Sequence, residues 1–282
     1  MLYEISSGEI SVKISDVGAE IKSVVCRGKE RAWQNENGSW SRTSPVLFPV
    51  CGRTSVKING KDHGMPFHGF ARDSVFSCER VSDEEVTFTL ESGKETLAVY
   101  PFEFELKINY KVEKDSLRIT NEVSNNGKTT MPFAIGRHDS FTFDAPVGEH
   151  KLVFSSDEKF LSQNTDEIGR VVDSFVDFGN GREFLLPEDF LSDGRTVIFS
   201  GINSDSVLLK TVDNRPIAEL FFGGVKNLLI WRPNGARMAC LELWSALPDS
   251  PEETDFDLYH KSRLFFLGSG EKKIVDLVIK YY

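Results

Sequence analysis

Cysteine is scarce in this chain, and long apolar runs are absent. The four cysteines, Cys26, Cys51, Cys78 and Cys240, are far apart and show no CxxC spacing. A disulfide framework is therefore not implied, and buried free thiols in strands are expected. No apolar stretch is long enough to span a bilayer. The N-terminal MLYEISSGEISVKI lacks the basic segment and apolar run of a secretory signal, so the expectation is a cytoplasmic protein without membrane contact. Basic charge is also in deficit: 33 Lys and Arg against 43 Asp and Glu give a net charge of -10. Such a balance repels a phosphate backbone and argues against nucleic-acid binding. Neither a GxSxG elbow nor a papain-like cysteine context occurs, which disfavours nucleophilic acyl chemistry. No glycine loop of the phosphate-binding kind precedes a helix. His63 and His68 have no evident third partner for a metal, so neither a metal nor a cofactor is expected.

What the chain does have is aromatic residues, 22 Phe among them, in a sequence that is 40% hydrophobic. Aromatic and β-branched residues suit pleated, half-buried surfaces. Short strand patterns recur from Leu2 to Val25, from Val75 to Val123 and from Ser206 to Trp244, with a last one over Lys273–Tyr281. Residues 144–200 read as looser, with Asp/Gly turns and one short helix starting near Pro187. No helical periodicity lasts three turns, and no repeat or linker divides the chain. The expected fold class is all-β, a large antiparallel sandwich or barrel in a single domain over 1–282.

Three polar clusters interrupt the apolar strands. The first is Arg53 with His68 and Arg72, in PVLFPVCGR and MPFHGFARD; the glycines beside these side chains suggest close approach of backbone or ligand. The second is His138, just after MPFAIG. The third is Glu242 in MACLELW, where alternation puts Met238, Cys240, Glu242 and Trp244 on one face and Ala239, Leu241 and Leu243 on the other. Either face could be the core face. A carboxylate beside an indole can line an apolar-rimmed cavity, where desolvation raises its pKa; alternatively it faces solvent or pairs with an arginine. His150, in a polar turn, and His260, after an acidic loop, read as surface residues.

PVLFPVCGR, MPFHGFARD, NNGKTTMPFAIGRHDSF and IWRPNGARMACLELWSALPD, in that order from Pro45 to Asp249, resemble the aldose 1-epimerase (galactose mutarotase) family, and in particular its shorter bacterial branch. The resemblance implies a large antiparallel β-sandwich of the galactose mutarotase type that binds a monosaccharide in an open cleft, as a monomer or homodimer. It implies that Glu242 is the general base on the sugar O1 hydroxyl and His138 the general acid on the ring oxygen. His68 would be the second histidine and Arg53 would bind sugar hydroxyls, with Arg72 beside them. Trp244 or Phe70 would stack on the sugar or serve the core. The pattern departs from the family in three places, one of them Leu243, which stands where the family strand usually has proline between Glu242 and Trp244. Arg137-His138-Asp139 stands where a small residue and a proline usually flank the histidine. The hydroxyl-binding aspartate is displaced, so that Asp193 is its nearest counterpart, with Arg195 close by. Arg137 and Arg195 either line the cleft, which would suit an anionic sugar, or pair with Asp139 and Asp193. A non-catalytic sugar-binding protein on the same fold is the alternative from another class. A glycoside hydrolase would need two flanking carboxylates, and only Glu242 has a convincing setting.

Overall fold

Apolar residues at every second position bury one side of a strand and wet the other. Phe104–Glu113 shows the pattern: Phe104, Leu106, Ile108, Tyr110 and Val112 are buried, while the residues between them are partly exposed. The computed structural model, which describes residues 1–282, sets this strand in a nine-stranded antiparallel sheet. Its order across is Val171–Leu185, His150–Thr165, Ser206–Thr211, Pro216–Phe221, Lys272–Tyr281, Ser116–Asn125, Phe104–Glu113, Glu85–Glu91 and Ser77–Arg80. The first strands of the chain, from Leu2–Ser7 to Lys29–Glu30, form a separate four-stranded sheet.

A third, five-stranded antiparallel sheet runs Val197–Ser200, Asn227–Trp231, Met238–Trp244, Gly136–Thr142 and Val46–Leu47. Its two central strands are buried on both faces. One apolar cluster of 72 buried residues draws on all three sheets. Ala239, Leu241 and Leu243 belong to it, so this face of the Met238–Trp244 strand is the core face. The face carrying Glu242 is turned the other way. The fold is thus an all-β antiparallel sandwich.

Residues 150–185 are not loose. They form the longest hairpin of the molecule, His150–Thr165 paired with Val171–Leu185. Register shifts after Val153, Lys159 and Gln163 break its alternation, and much of its second strand is exposed. Both features weaken a period-two signal. The short helix after Pro187 is present at Glu188–Ser192. Another, Lys94–Val99, buries none of its residues and so leaves no apolar periodicity to read. His150 is buried, contrary to its polar surroundings in sequence, and its ring stacks on Phe143 with centroids 4.0 Å apart. All four cysteines are free; Cys78 is half-buried and the rest are buried.

The segment carrying His68 is held against Val46–Leu47 by backbone. Phe70 and Ala71 N–H groups donate to the Phe48 carbonyl at 3.0 and 3.2 Å. Gly69 sits at φ 74°, and a Cβ there would fall 2.1 Å from the Phe48 oxygen. Only glycine allows this approach. Gly69→Ala is expected to cost at least about 2 kcal/mol of folding stability, from left-handed strain and backbone overlap together. Urea unfolding would measure it, and a loss below about 0.5 kcal/mol, the range of an indifferent surface change, would contradict this packing.

Candidate active site

Antiparallel pairing places four side chains in one row across the five-stranded sheet. Ile198 lies opposite Leu229, Leu229 opposite Glu242, and Glu242 opposite His138. Directly opposed residues share a face. The row forms the floor of a pocket of about 410 Å³, within the range of small-molecule sites. One register step along, Trp244 lies opposite Gly136. A Cβ at Gly136 would come within 3.1 Å of the indole and 2.9 Å of the Cys51 sulfur, so glycine is what lets Trp244 lie there.

Loops from distant parts of the chain supply the walls. Trp40, Arg42 and Pro45 come from the segment before Val46–Leu47; Phe67, His68 and Arg72 come from the segment pinned by Gly69. Thr165 and Gly169 reach in from the tip of the long hairpin, and Thr196 from the start of the sheet's edge strand. The hairpin is tied to that strand where the Ile198 N–H donates to Ser162 Oγ at 3.0 Å.

His138 Nε2 lies 3.2 Å from Glu242 Oε1, both side chains nearly inaccessible. Burial raises the Glu242 pKa well above the usual carboxylate range, and the Asp139 carboxylate adds to the rise. Burial also lowers His138 to about 3, with the Arg72 and Arg42 guanidiniums adding to the depression. Both shifts favour the uncharged forms, a carboxylic acid beside a neutral imidazole. The His138 ring is packed by Trp40 at 5.0 Å and Trp231 at 5.6 Å between centroids. His68 sits at φ 66°, a conformation uncommon for a side-chain-bearing residue and often found at functional sites. Its Nδ1 accepts the Gly52 N–H at 3.0 Å, which leaves the ring proton of neutral His68 on Nε2. Burial, then His138 and the arginines, hold His68 well below the ordinary histidine range.

Buried polar atoms are normally hydrogen-bonded. Here Arg72 Nε, His138 Nδ1, Glu242 Oε2 and Trp244 Nε1 have no hydrogen-bond partner within the chain, and all four belong to residues lining this pocket.

The sheet therefore brings together Glu242, His138, His68, Arg72 and Trp244, as expected from the sequence. Three other expected residues stand elsewhere. Arg53 is exposed; its Nε donates to the Ile168 carbonyl at 2.8 Å, and its guanidinium lies 5.4 Å from the Phe67 ring, which lines the pocket while Arg53 does not. Asp193 is also exposed and pairs with Arg195 at 2.8 Å outside the pocket. From that segment Thr196 and Ile198 line the wall instead. Arg137 is fully buried, but strand alternation turns it to the face opposite His138. There it donates to Asp139 at 2.8 Å, to the Tyr110 hydroxyl at 2.9 Å and to Ser44 Oγ at 2.8 Å. Phe70 packs in the core against Phe48 and Phe104. Sequence reasoning missed Trp40, Arg42, Phe67 and Trp231.

A family model described as aldose 1-epimerase matches residues 1–261. The chain belongs to the aldose 1-epimerase family. Within it, the chain is 28% identical to the chromosomal and plasmid forms of protein LacX of Lactococcus lactis subsp. lactis, over 271 residues and 90% of each chain. Among solved structures, it is similar to a galactose mutarotase related enzyme from Lactobacillus acidophilus. That pair has a TM-score of 0.91 and 28% identity, covering 100% of this chain and 97% of the other. A galactose mutarotase-like protein from Lactobacillus casei ATCC 334 gives a TM-score of 0.90 and 25% identity, with 100% of both chains covered.

In this epimerase-family chain the Arg137–Asp139 pair is part of the scaffold. Removing one partner of a buried ion pair costs about 3–5 kcal/mol, because the other charge is left stranded. Arg137→Met is expected to lose that much stability, and Arg137→Met with Asp139→Leu to recover most of it. Denaturant unfolding of the three proteins checks this; a single variant as stable as the parent would contradict the pairing.

Proposed function

We propose that this protein interconverts the α and β anomers of an aldose by acid–base opening and reclosure of the sugar ring, without a covalent intermediate. One observation carries the reading: a carboxyl and an imidazole 3.2 Å apart on residues that line the floor of an aromatic pocket of ligand size. The family and its mutarotase-like relatives support the same assignment.

The chemistry needs two proton transfers at oxygens on one carbon, the anomeric O1 and the ring oxygen. A hemiacetal entering between Glu242 and His138 replaces their mutual contact with one hydrogen bond to each oxygen. Glu242 takes the O1 proton while His138 delivers one to the ring oxygen, the C1–O5 bond breaks, and O1 becomes the aldehyde oxygen. Rotation about C1–C2 and reversal of both transfers gives the other anomer. Imidazolium with carboxylate becomes imidazole with carboxylic acid, so the pair's total proton count is unchanged at each stage. The ring-opened stage coincides with the uncharged arrangement that burial favours. His68, its proton fixed on Nε2 by the Gly52 contact, donates a hydrogen bond near the ring oxygen. Trp244, Trp40 and Trp231 offer faces for the apolar side of the sugar.

Binding without catalysis is the competing class. The unusual neighbours of His138 raised it, but Arg137 and Asp139 point away from the pocket, and no observation now favours it.

Positioned acid–base groups typically contribute about 10²–10⁴-fold. Glu242→Gln is expected to lower kcat for anomerisation by that factor, measured by NMR exchange or polarimetry on freshly dissolved α-sugar. Unchanged exchange would exclude Glu242 as the base. The same variant should gain stability. A carboxyl whose folded pKa lies above its unfolded value binds more protons in the native state once pH exceeds about 4.5, so stability declines as pH rises through that window. Glutamine does not titrate, so the unfolding midpoint of Glu242→Gln should exceed the parent's, increasingly from pH 5 to neutral. A variant no more stable at neutral pH than at pH 5, relative to the parent, would contradict the raised pKa.

A further inference from the structure

One buried carboxylate outside the pocket lining ties together three segments that form its walls. Asp249 is 1% exposed and follows Pro248, which lines the pocket. Its N–H donates to the Arg53 carbonyl at 3.0 Å, and its Oδ2 accepts the Ser55 N–H at 2.7 Å. Its carbonyl accepts the Val171 N–H at 3.0 Å, where the second strand of the long hairpin begins. The other carboxylate oxygen, Oδ1, accepts from Lys261 at 2.6 Å and from Arg263. Glu253 completes the cluster, 3.3 Å from Lys261 and 3.2 Å from Arg263.

Two cations thus meet two carboxylates, and the Lys261 side chain is fully inaccessible. Desolvating such a cluster is costly, and apolar residues of similar volume often hold a fold as well. What an apolar side chain cannot do is accept the Ser55 N–H. The turn gripped by that bond makes two hydrogen bonds to His68: the Gly52 N–H donates to His68 Nδ1 at 3.0 Å, and the His68 N–H donates to the Gly52 carbonyl at 2.9 Å. The turn has little room to shift, since a Cβ at Gly52 would fall 2.4 Å from Pro248 and 3.2 Å from the Trp244 ring. A left-handed His68 at φ 66° persists only where its surroundings over-determine it. Asp249 adds one of those constraints.

We propose that Asp249 is a positioning residue of the epimerase site: through the Gly52–Ser55 turn it fixes the tautomer and orientation of the His68 ring, and with them the Nε2 proton offered to the sugar. The inference rests on the epimerase reading and extends its machinery by a residue that does not touch the substrate.

Asparagine and leucine both approximate the shape of aspartate, and only asparagine can accept a hydrogen bond. The test compares Asp249→Asn with Asp249→Leu, each carrying Lys261→Met so that no cation is stranded. NMR of the ring nitrogens reads the tautomer. Neutral His68 should carry its proton on Nε2 alone in the parent and in the asparagine protein, and on both nitrogens in exchange in the leucine protein. His138 should be the same in all three. Anomerisation is followed on the aldose that the parent turns over fastest in a panel including glucose and galactose. There kcat should be at least about tenfold lower in the leucine protein than in the asparagine protein, with KM changed by less than about threefold, because a displaced group costs rate more than binding. The same His68 tautomer in both proteins, or equal kcat, would overturn the proposal. Should the leucine protein not fold, Asp249→Ala in the same background takes its place with the same expected outcomes. If the parent anomerises no aldose, the epimerase reading fails, and the ring spectra alone decide whether Asp249 positions His68.

Discussion

Everything at this site depends on one cross-strand pair. His138 and Glu242 face each other because Gly136–Thr142 and Met238–Trp244 pair in a single register. A slip of one residue in either strand would send that strand's side chain to the core face and bring Arg137 or Leu243 into the pocket. The register is held by what lies on the other side: Ala239, Leu241 and Leu243 sit in the main core, and Arg137 is clamped by Asp139, Ser44 and Tyr110. The ion pair behind the sheet and the acid–base pair in front of it are therefore two faces of one constraint.

The burial that locks the register also sets the chemistry. A carboxyl pushed up and an imidazole pushed down reverse their ordinary order of proton affinity, so the pair rests in its uncharged form. A solvated surface pair would favour the charged form. Trp40 and Trp231 against the imidazole keep water from that contact. Hydrogen bonding from Gly52 fixes the orientation of the other histidine.

Much of this was legible in the sequence, for definable reasons. The alternation around Phe104–Glu113 and Met238–Trp244 marked the strands, and the polar interruptions at His68, His138 and Glu242 marked the site. What could not be read was direction. Arg53 and Arg72 both flank Phe67 in space, yet nothing local says which of them falls on the pocket side. Arg137 adjoins the key histidine in sequence and is therefore on the opposite face of the sheet. Arg42 and Trp231 join the site only through tertiary folding, from segments whose own patterns are unremarkable. The hairpin over residues 150–185 was obscured because its bulges break the alternation and its second strand is largely wet.

That hairpin has a consequence of its own. Its base is anchored in the large sheet through His150–Phe154, while its tip places Thr165 and Gly169 over the pocket mouth and takes the Arg53 side chain at Ile168. The tip is an overhang built from residues that contribute little to the apolar core. Insertions or deletions there would reshape the entrance with small loss of foldedness, which makes this arm the cheapest part of the molecule for evolution to redraw when the ligand changes.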